Sequence, residues 1–336
     1  MTDLQAAVDE AVRSASPKLV GLAVAAVAGG EAVVASRGRA DGDGRPVDGT
    51  TVFEIGSVTK VFTALLLAVM STTGEVALDE PLADLYPDLT VPVRGRPIVL
   101  ADLATHAAGL PRLPPGLLRQ GLRHRDNPYA AFTDEDVARA LESVRLRAEP
   151  GTRVRYSNFG AALLGQALAR RAGTTYGELV RTRVCGPLGL ADTSVLRSDD
   201  QLARRAVGHD RRGRPVPDWD MDSLPGMGAL HSTGADLARF LAAQLDPAGT
   251  PLEEAILLTQ QPRLPAGRLG HQALGWMVSP LPRTDRRMHW HNGGTGGAFS
   301  FLGLEPGASV GAVVLTNTAR SVDALGMSLL ARLVGT

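Results

Sequence analysis

Apolar positions near the start of the chain repeat first with a helical and then with a strand period. Residues 3–14 place apolar side chains at helical spacing, which predicts an amphipathic first helix. The apolar runs Leu19–Val27 and Ala32–Arg37 follow, joined by Gly29-Gly30. Two such runs across a glycine pair predict a β-hairpin.

The middle of the chain is predominantly helical, and strand patterns return near its end. Helices are predicted at Val58–Met70, Leu100–His106, Asp134–Leu146, Phe159–Ala172, Tyr176–Cys185, Thr233–Leu245, Leu252–Gln260 and Val322–Val334. Later strands are predicted at Ala273–Val278, Ala298–Leu304 and Val310–Thr316. Strands at both ends that bracket helices predict an α+β fold, in which one antiparallel sheet is built from both chain ends with flanking helices.

We interpret residues 1–336 as a single domain of two lobes. An α/β lobe would comprise 1–77 and 227–336, and an inserted, mostly helical lobe would comprise 78–226. No repeat and no linker between independent domains is visible in the sequence.

Composition narrows the function classes. Lys plus Arg and Asp plus Glu both number 35, so the formal net charge is zero, which argues against a nucleic acid or an anionic membrane as partner. Cys185 is the single cysteine and is expected to be a buried small side chain rather than a catalytic thiol. The first ten residues carry neither the basic start nor the apolar stretch of a secretory signal, so we expect a cytoplasmic protein.

The segment Ser57-Val58-Thr59-Lys60 is the first candidate for chemistry. At positions i and i+3 of a helix, Ser57 and Lys60 share a face. Lys60 precedes an apolar run and would be desolvated, and burial favours its neutral form. A neutral amine beside a hydroxyl can activate that hydroxyl for attack on a carbonyl. A helix cap followed by a surface lysine is the alternative.

Tyr156-Ser157-Asn158, at the start of a predicted helix, is the second candidate. A phenol placed near Lys60 is expected to ionise more easily and to act as base to Ser57, then as acid to the leaving group. Asn158 would hydrogen-bond a substrate amide or hold Lys60. The alternative is a core tyrosine followed by a capping asparagine.

The glycine-rich segment His291–Gly297 precedes a predicted strand and is the third candidate. Backbone without side chains lets a ligand lie against a sheet edge. There the amide of Gly294, paired with that of Ser57, could hold the oxyanion of a tetrahedral intermediate. A plain glycine-rich turn is the alternative.

These three segments, in this order, resemble the serine β-lactamase and penicillin-binding-protein superfamily, specifically its class C β-lactamase and family VIII carboxylesterase branch. Leu103–Pro111, Pro187–Thr193 and Gly228–Thr233 resemble secondary signatures of the same family. The resemblance covers nearly the whole chain and implies the β-lactamase/transpeptidase-like fold. It implies that Ser57 is the acylated nucleophile, that Lys60 is its activating partner and that Tyr156 is the general base and acid. It further implies that Asn158 contacts the substrate, that the third motif consists of His291, Asn292 and Gly293, and that Gly294 provides an oxyanion-hole amide.

The third motif departs from the usual family pattern. β-Lactamases and D,D-peptidases usually carry Lys-Thr-Gly there, and the lysine helps to receive the substrate carboxylate. Here the positions hold His291 and Asn292, and a histidine is mostly neutral at pH 7. The departure favours esters, amides or D-residue peptides without a carboxylate at that point, unless an arginine from a loop supplies the charge.

Several other signals are given structural interpretations. Gly307–Gly311 matches the G-x-S-x-G pattern of α/β-hydrolases, but a strand follows it and no histidine does, so we predict a hairpin turn. Asp218, Asp220 and Asp222 lack the later residues of an EF-hand and are expected to form an acidic loop near the site mouth. His289 and His291 have no third metal ligand at a useful spacing, so no metal is expected. Residues expected to be structural or on a surface loop are His106, His209, His231 and Arg112–Pro128.

The sequence therefore predicts a serine hydrolase that forms an acyl-enzyme on Ser57 and hydrolyses a small ester, a β-lactam or a D-amino-acid peptide or amide. Its partner would be a small-molecule acyl substrate, and no cofactor, nucleic acid or membrane is expected. Two alternatives stay open: an acyltransferase or peptide cyclase that uses the same acyl-enzyme, and a non-catalytic penicillin-binding-like module. The physiological substrate and the oligomeric state are not determined by the sequence.

Overall fold

An antiparallel sheet of eight strands forms the centre of the computed structural model, which describes residues 3–121, 126–267 and 270–335. Its strand order is β2-β1-β10-β9-β8-β7-β6-β5, so strands from both chain ends lie side by side. The strands of this sheet are β1 Gly21–Ala28, β2 Glu31–Gly38, β5 Leu264–Pro265, β6 His271–Gln272, β7 Met277–Pro280, β8 Arg287–Gly294, β9 Phe299–Glu305 and β10 Val310–Thr316. A separate two-stranded sheet pairs β3 Phe53–Glu54 with β4 His231–Ser232.

Twelve helices surround the sheets in the described ranges. They are α1 Asp3–Ser14, α2 Thr59–Thr72, α3 Leu100–Ala104, α4 Leu117–Gly121, α5 Asp134–Ser143, α6 Asn158–Ala172, α7 Tyr176–Val180, α8 Gly186–Leu188, α9 Asp199–Ala203, α10 Gly234–Leu245, α11 Glu253–Gln260 and α12 Asp323–Val334. None of the helices in the described ranges has the length and apolar character needed to cross a bilayer.

The two faces of the sheet bury different helices because strand side chains alternate in direction. On β1, Leu22, Val24 and Ala26 pack in one apolar cluster with α1 and α12. The intervening Ala23 and Ala25 belong to the other cluster, which contains α2 and α10. A strand covered on both faces reads as a continuous apolar run, and β1 and β10 do so in the sequence.

The fold class predicted from the sequence is confirmed, and most element bounds agree within a few residues. The short strands β4, β5 and β6 were missed, and so was the long strand β8. β8 consists largely of polar and glycine residues, and this composition hides its period. The strand predicted at Ala273–Val278 is interrupted, because Gly275 has a φ of 73° and approaches the backbone of α2. The helix predicted at Tyr176–Cys185 is α7 continued by a π turn, Arg181–Cys185. The boundaries of the two lobes stay a prediction.

Two minor interpretations are also confirmed. The Gly307–Gly311 segment joins β9 to β10 through a 3-10 turn, Pro306–Ala308, and so forms the predicted hairpin connection. Cys185 is buried, and burial raises the pKa of its thiol to about 12, which makes it a poor nucleophile. Residues 122–125 of the predicted surface loop lie outside the described residues.

Candidate active site

Ser57 occupies a 3-10 turn, Gly56–Val58, between β3 and α2. Gly56 has a φ of 50°, and a Cβ there would lie 2.8 Å from the backbone nitrogen of Gly294. The turn therefore packs directly against the end of β8, and glycine is required because a side chain would separate the two segments. This packing brings the first and third sequence motifs together.

Lys60 lies in the first turn of α2 and points at Ser57. Its Nζ lies 2.9 Å from Ser57 Oγ and donates a hydrogen bond to the carbonyl of Met227 at 2.5 Å. The Lys60 residue is 3% exposed. Burial, followed by the positive charge of Arg112, lowers the pKa of Lys60 well below its usual range. A neutral amine in contact with the hydroxyl can accept its proton.

Tyr156 completes a hydrogen-bonded group with these two residues. Its hydroxyl is hydrogen-bonded to the Ser57 hydroxyl, and its ring centroid lies 5.1 Å from Lys60 Nζ. The expectation that the phenol ionises more easily is wrong, since burial raises the pKa of Tyr156 to about 12. The hydrogen bond with Ser57 and the charge of Arg112 oppose this shift without cancelling it. Tyr156 is therefore a protonated phenol at neutral pH.

Two buried histidines lie against the Tyr156 ring. The ring centroid of His106 is 4.5 Å from that of Tyr156, and the centroid of His291 is 6.1 Å from it. Burial and the proximity of Lys60 lower the pKa of His291 to about 3, so the ring is neutral. Its Nδ1 faces the carbonyl of Asn292 at 2.7 Å, and its Nε2 is buried without a partner in the described chain.

His106 stabilises the backbone at the second motif, as expected of a structural residue. Its φ is 58°, and its Nδ1 accepts a hydrogen bond from the backbone nitrogen of Ser157 at 3.3 Å. Ser157 in turn caps α6 by accepting from the backbone nitrogen of Gly160. The second motif is thus fixed at the start of this helix, and Tyr156 immediately precedes the cap.

Asn158 is the first residue of α6 and lines a cavity beside Ser57. Its backbone nitrogen donates to the carbonyl of Arg112 at 2.8 Å. Its Oδ1 is buried and has no hydrogen-bond partner among the described residues. A buried acceptor without a partner is costly, and a donor on a substrate would remove that cost.

The third motif forms the open edge of β8. β7 pairs with β8 only over Arg287–Trp290, so residues 291–294 have no strand partner on that edge among the described residues. The side chain of Asn292 donates to Asp323 of α12 at 2.9 Å. At Gly293 a Cβ would lie 2.0 Å from the carbonyl oxygen of Ile55. Position 293 therefore has no room for a side chain, because the backbone of Ile55 and Ser57 packs against it.

The cavity beside Ser57 has a volume of about 500 Å³. Of the predicted residues, Ser57, Tyr156, Asn158, Asn292, Gly293 and Gly294 line it, whereas Lys60 and His291 are buried next to it. The other lining residues are Arg112 and Leu113 of the predicted surface loop, Trp219 of the predicted acidic loop, Thr295 of the third candidate segment, and Tyr129, Met277, Trp290 and Phe299, which no sequence signal indicated. They come from six separate segments of the chain, so no local pattern groups them.

Glu54 connects two walls of this cavity. Its carboxylate accepts from the backbone nitrogen of Trp219 at 2.9 Å and from Thr295 Oγ1 at 2.8 Å. Burial, reinforced by the nearby charge of Asp218, raises the pKa of Glu54 to about 7. Asp218 itself pairs with Arg197 at 2.6 Å. The acidic loop is thereby held at the site mouth, where the sequence analysis expected it.

The candidate site consists of a hydroxyl, an amine and a phenol beside an open strand edge. Within the described ranges, no group of three or more His, Cys, Asp or Glu side chains could hold a metal ion. The side chains present can carry out nucleophilic attack and proton transfer, and backbone amides at the strand edge can stabilise negative charge.

Comparisons with known proteins find sequence similarity over most of the chain. The D-alanyl-D-alanine-carboxypeptidase/endopeptidase AmpH of Escherichia coli K12 is 30% identical over 279 residues, which cover 79% of this chain and 70% of that protein. A beta-lactamase of Pseudomonas fluorescens is 28% identical, with 94% of each chain covered. Penicillin-binding protein 4 of Amycolatopsis lactamdurans is 30% identical over 82% of this chain and 74% of its own length.

Solved structures show the same architecture. A beta-lactamase from Sulfitobacter sp. EE-36 superposes with a TM-score of 0.86 at 26% identity, covering 100% of this chain and 99% of that one. A class C beta lactamase from Rhodobacter sphaeroides gives a TM-score of 0.82 at 26% identity, with 98% and 99% coverage. The family model described as Beta-lactamase matches residues 4–336. The chain therefore belongs to the beta-lactamase family, and its fold is that of the class C enzymes.

Proposed function

We propose that the protein is a serine hydrolase that forms a covalent acyl-enzyme on Ser57 and releases it with water. The observation that carries the proposal is the 2.9 Å contact between Ser57 Oγ and the buried Lys60 Nζ, at the edge of a cavity. Membership of the beta-lactamase family supports hydrolysis as the reaction class. Its small-molecule acyl substrate would be an ester, an amide, a β-lactam or a D-amino-acid peptide.

Acylation would begin with attack of Ser57 Oγ on the substrate carbonyl. As the new C–O bond forms, the hydroxyl proton passes to the neutral Lys60. The negative charge on the carbonyl oxygen would be stabilised by the backbone amides of Ser57 and Gly294, which lie together where the turn meets β8. Tyr156, protonated at neutral pH, would donate its proton to the leaving group and recover one from Lys60.

Deacylation would repeat these steps with water as the nucleophile. Water would attack the acyl carbon, lose a proton to the same Lys60–Tyr156 pair, and restore Ser57 when the acid departs. Asn158 would donate to or accept from the acyl chain, since its unpartnered Oδ1 belongs to a residue that lines the cavity. His291 would act as a neutral neighbour of Tyr156 rather than as a charge that receives a carboxylate.

The test is intact-protein mass against time after mixing with 4-nitrophenyl butyrate, with the Ser57→Ala variant measured in parallel. We expect a transient butyryl adduct and steady nitrophenol release from the native protein, and neither from Ser57→Ala. Turnover that persists in Ser57→Ala would contradict the proposal. An adduct that forms and is never released would favour a binding module over a hydrolase.

Relatives named for β-lactams and for D-alanyl-D-alanine peptides define the second substrate panel. Nitrocefin and a D-alanyl-D-alanine peptide, assayed beside 4-nitrophenyl butyrate, would rank the three substrate types by kcat/KM. Addition of an amine acceptor to the ester assay separates hydrolysis from acyl transfer, because transfer forms an amide in place of the free acid.

A further inference from the structure

Arg112 is the one residue with a fixed charge among the described residues that line the cavity beside Ser57. The other lining residues carry aromatic, apolar, amide or hydroxyl side chains, except for Gly293 and Gly294, which have none. An arginine keeps its proton at any physiological pH. The cavity therefore contains a permanent positive charge with no negative lining residue to offset it.

The guanidinium of Arg112 faces the reaction centre. Its Cζ lies 5.2 Å from the ring centroid of Tyr156, and its charge contributes to the lowered pKa of Lys60. No carboxylate of the described residues lies within ion-pair distance of it. The group is thus near the nucleophile and free to accept an anion.

The backbone of Arg112 is fixed although its side chain is exposed. Its carbonyl accepts from the amides of Asn158 and Phe159 at the start of α6, at 2.8 and 3.2 Å. These two bonds hold Arg112 against the same helix end that carries the second motif. The backbone position from which the guanidinium extends is therefore set by the fold.

The third motif does not supply a competing positive charge. His291 is neutral, buried, and absent from the cavity lining. Asn292 directs its amide group to Asp323. An anionic substrate that enters this cavity would therefore meet its positive partner at Arg112, in the segment between α3 and α4, and not on β8.

We infer that Arg112 receives a carboxylate of the substrate, and that the preferred substrates are anionic esters or amides. The inference rests on the proposed acyl-enzyme function and reverses the preference expected from the third motif alone. The planar guanidinium can donate two parallel hydrogen bonds to a carboxylate, which adds orientation to the charge attraction. The carboxylate could belong to the acyl group or to the leaving group, and the two sources are separable by experiment.

The experiment compares matched pairs of esters. Mono-4-nitrophenyl glutarate against 4-nitrophenyl pentanoate tests a carboxylate on the acyl group, with the spontaneous hydrolysis of each subtracted. 3-Carboxyphenyl butyrate against phenyl butyrate tests a carboxylate on the leaving group. We expect the native protein to prefer the anionic member of at least one pair by kcat/KM, mainly through KM.

The variants Arg112→Gln and Arg112→Lys identify the cause of that preference. Arg112→Gln should lower the anionic-to-neutral ratio of kcat/KM roughly 10- to 100-fold, the range expected for a charged hydrogen bond. Arg112→Lys should restore most of the ratio. Arg119→Gln removes the same charge from an exposed residue of α4 outside the cavity lining and should leave the ratio at the native value. An unchanged ratio in Arg112→Gln would overturn the inference.

A binding measurement separates this inference from the proposed function. Trp219 and Trp290 line the cavity, so tryptophan fluorescence reports on its occupancy. In the Ser57→Ala background, the anionic esters should bind roughly 10-fold or more tightly than their neutral partners, and Arg112→Gln should remove the difference. Equal affinities for both members of each pair would contradict the role of Arg112, even if the protein hydrolyses esters. A charge preference without turnover would retain the role and reject the hydrolase.

Discussion

The charge state of Lys60 determines what Ser57 can do. The amine is buried between the Ser57 hydroxyl and the Met227 carbonyl, and both groups can hydrogen-bond to it without a counter-ion. Because burial and Arg112 lower its pKa, the neutral form becomes accessible at a lower pH than for an ordinary lysine. Below that pKa the amine is protonated and cannot accept a proton, so the acylation rate is expected to fall as the pH decreases.

Replacement of Lys60 tests this assignment. Lys60→Met removes the proton acceptor, and Lys60→Arg replaces it with a group that stays charged. Both variants should lower the acylation rate by about 10²- to 10⁴-fold, the usual contribution of a general base. The rate is measured from the release of nitrophenol under single-turnover conditions. Lys18, exposed near the end of α1, is the other lysine, and Lys18→Met is the matched control. An equal loss of acylation rate in the Lys18 and Lys60 variants would contradict the role of Lys60.

At the scale of elements, the site depends on the contact between β8 and the Ser57 turn. β8 lacks a β7 partner over residues 291–294, and Gly293 in this stretch packs against the backbone of Ile55 and Ser57. Ser300 of β9 also donates to the carbonyl of Ile55 at 2.7 Å. Backbone approaches this close require the absence of side chains at Gly56 and Gly293.

Gly293→Ala should therefore separate the two elements. Its Cβ would lie 2.0 Å from the Ile55 oxygen and 2.9 Å from the Ser57 nitrogen, so the strand edge must move away. A displacement of about 1 Å between the nucleophile and the oxyanion amides can lower kcat on the order of 100-fold. Circular dichroism and the thermal midpoint verify that the variant folds. Gly42→Ala, where a Cβ meets no atom within 4 Å, is the control. Native kcat in folded Gly293→Ala would reject the proposed oxyanion site.

At the scale of the whole molecule, Glu54 joins segments that lie far apart in the sequence. Its carboxyl group connects β3 to the loop of Trp219 and to Thr295 after β8. The buried group holds its proton up to a pH of about 7 in the folded protein, against an ordinary value of 4.5. Its stabilising contribution is complete below 4.5, decreases as the pH rises, and is lost above about 7, since the folded state binds the proton more tightly.

Glu54→Gln should remove this pH dependence because glutamine stays neutral. Relative to the native protein, the variant should gain free energy of unfolding between pH 5 and pH 8, by on the order of 1–3 kcal/mol. Urea unfolding at the two pH values measures the change. Glu31→Gln, at an exposed glutamate of β2, is the control and should show no such gain. If the free energies of unfolding of the native protein and of Glu54→Gln differ by the same amount at both pH values, the raised pKa of Glu54 is contradicted.

The sequence by itself determined the elements and the motifs. Its apolar periods report which positions an element buries, so the sheet from both chain ends and the helix after Ser57 could be predicted. The motif spacing likewise placed Ser57 and Lys60 on one helix turn. β8 could not be predicted from an apolar period because it consists largely of glycines and polar residues, whose packing partners lie far away in the sequence.

The pKa values of the site residues, and which of these residues line the cavity, were decided only by the tertiary structure. Lys60 contacts Met227, which is 167 residues away, and Tyr156 is desolvated by segments that include His106 and His291. Such contacts set burial and neighbouring charge, and these determine each pKa. In the folded chain Arg112 lines the cavity, whereas His291 does not. A linear sequence records which groups can ionise, but only the folded chain sets the solvent and the charges that surround them.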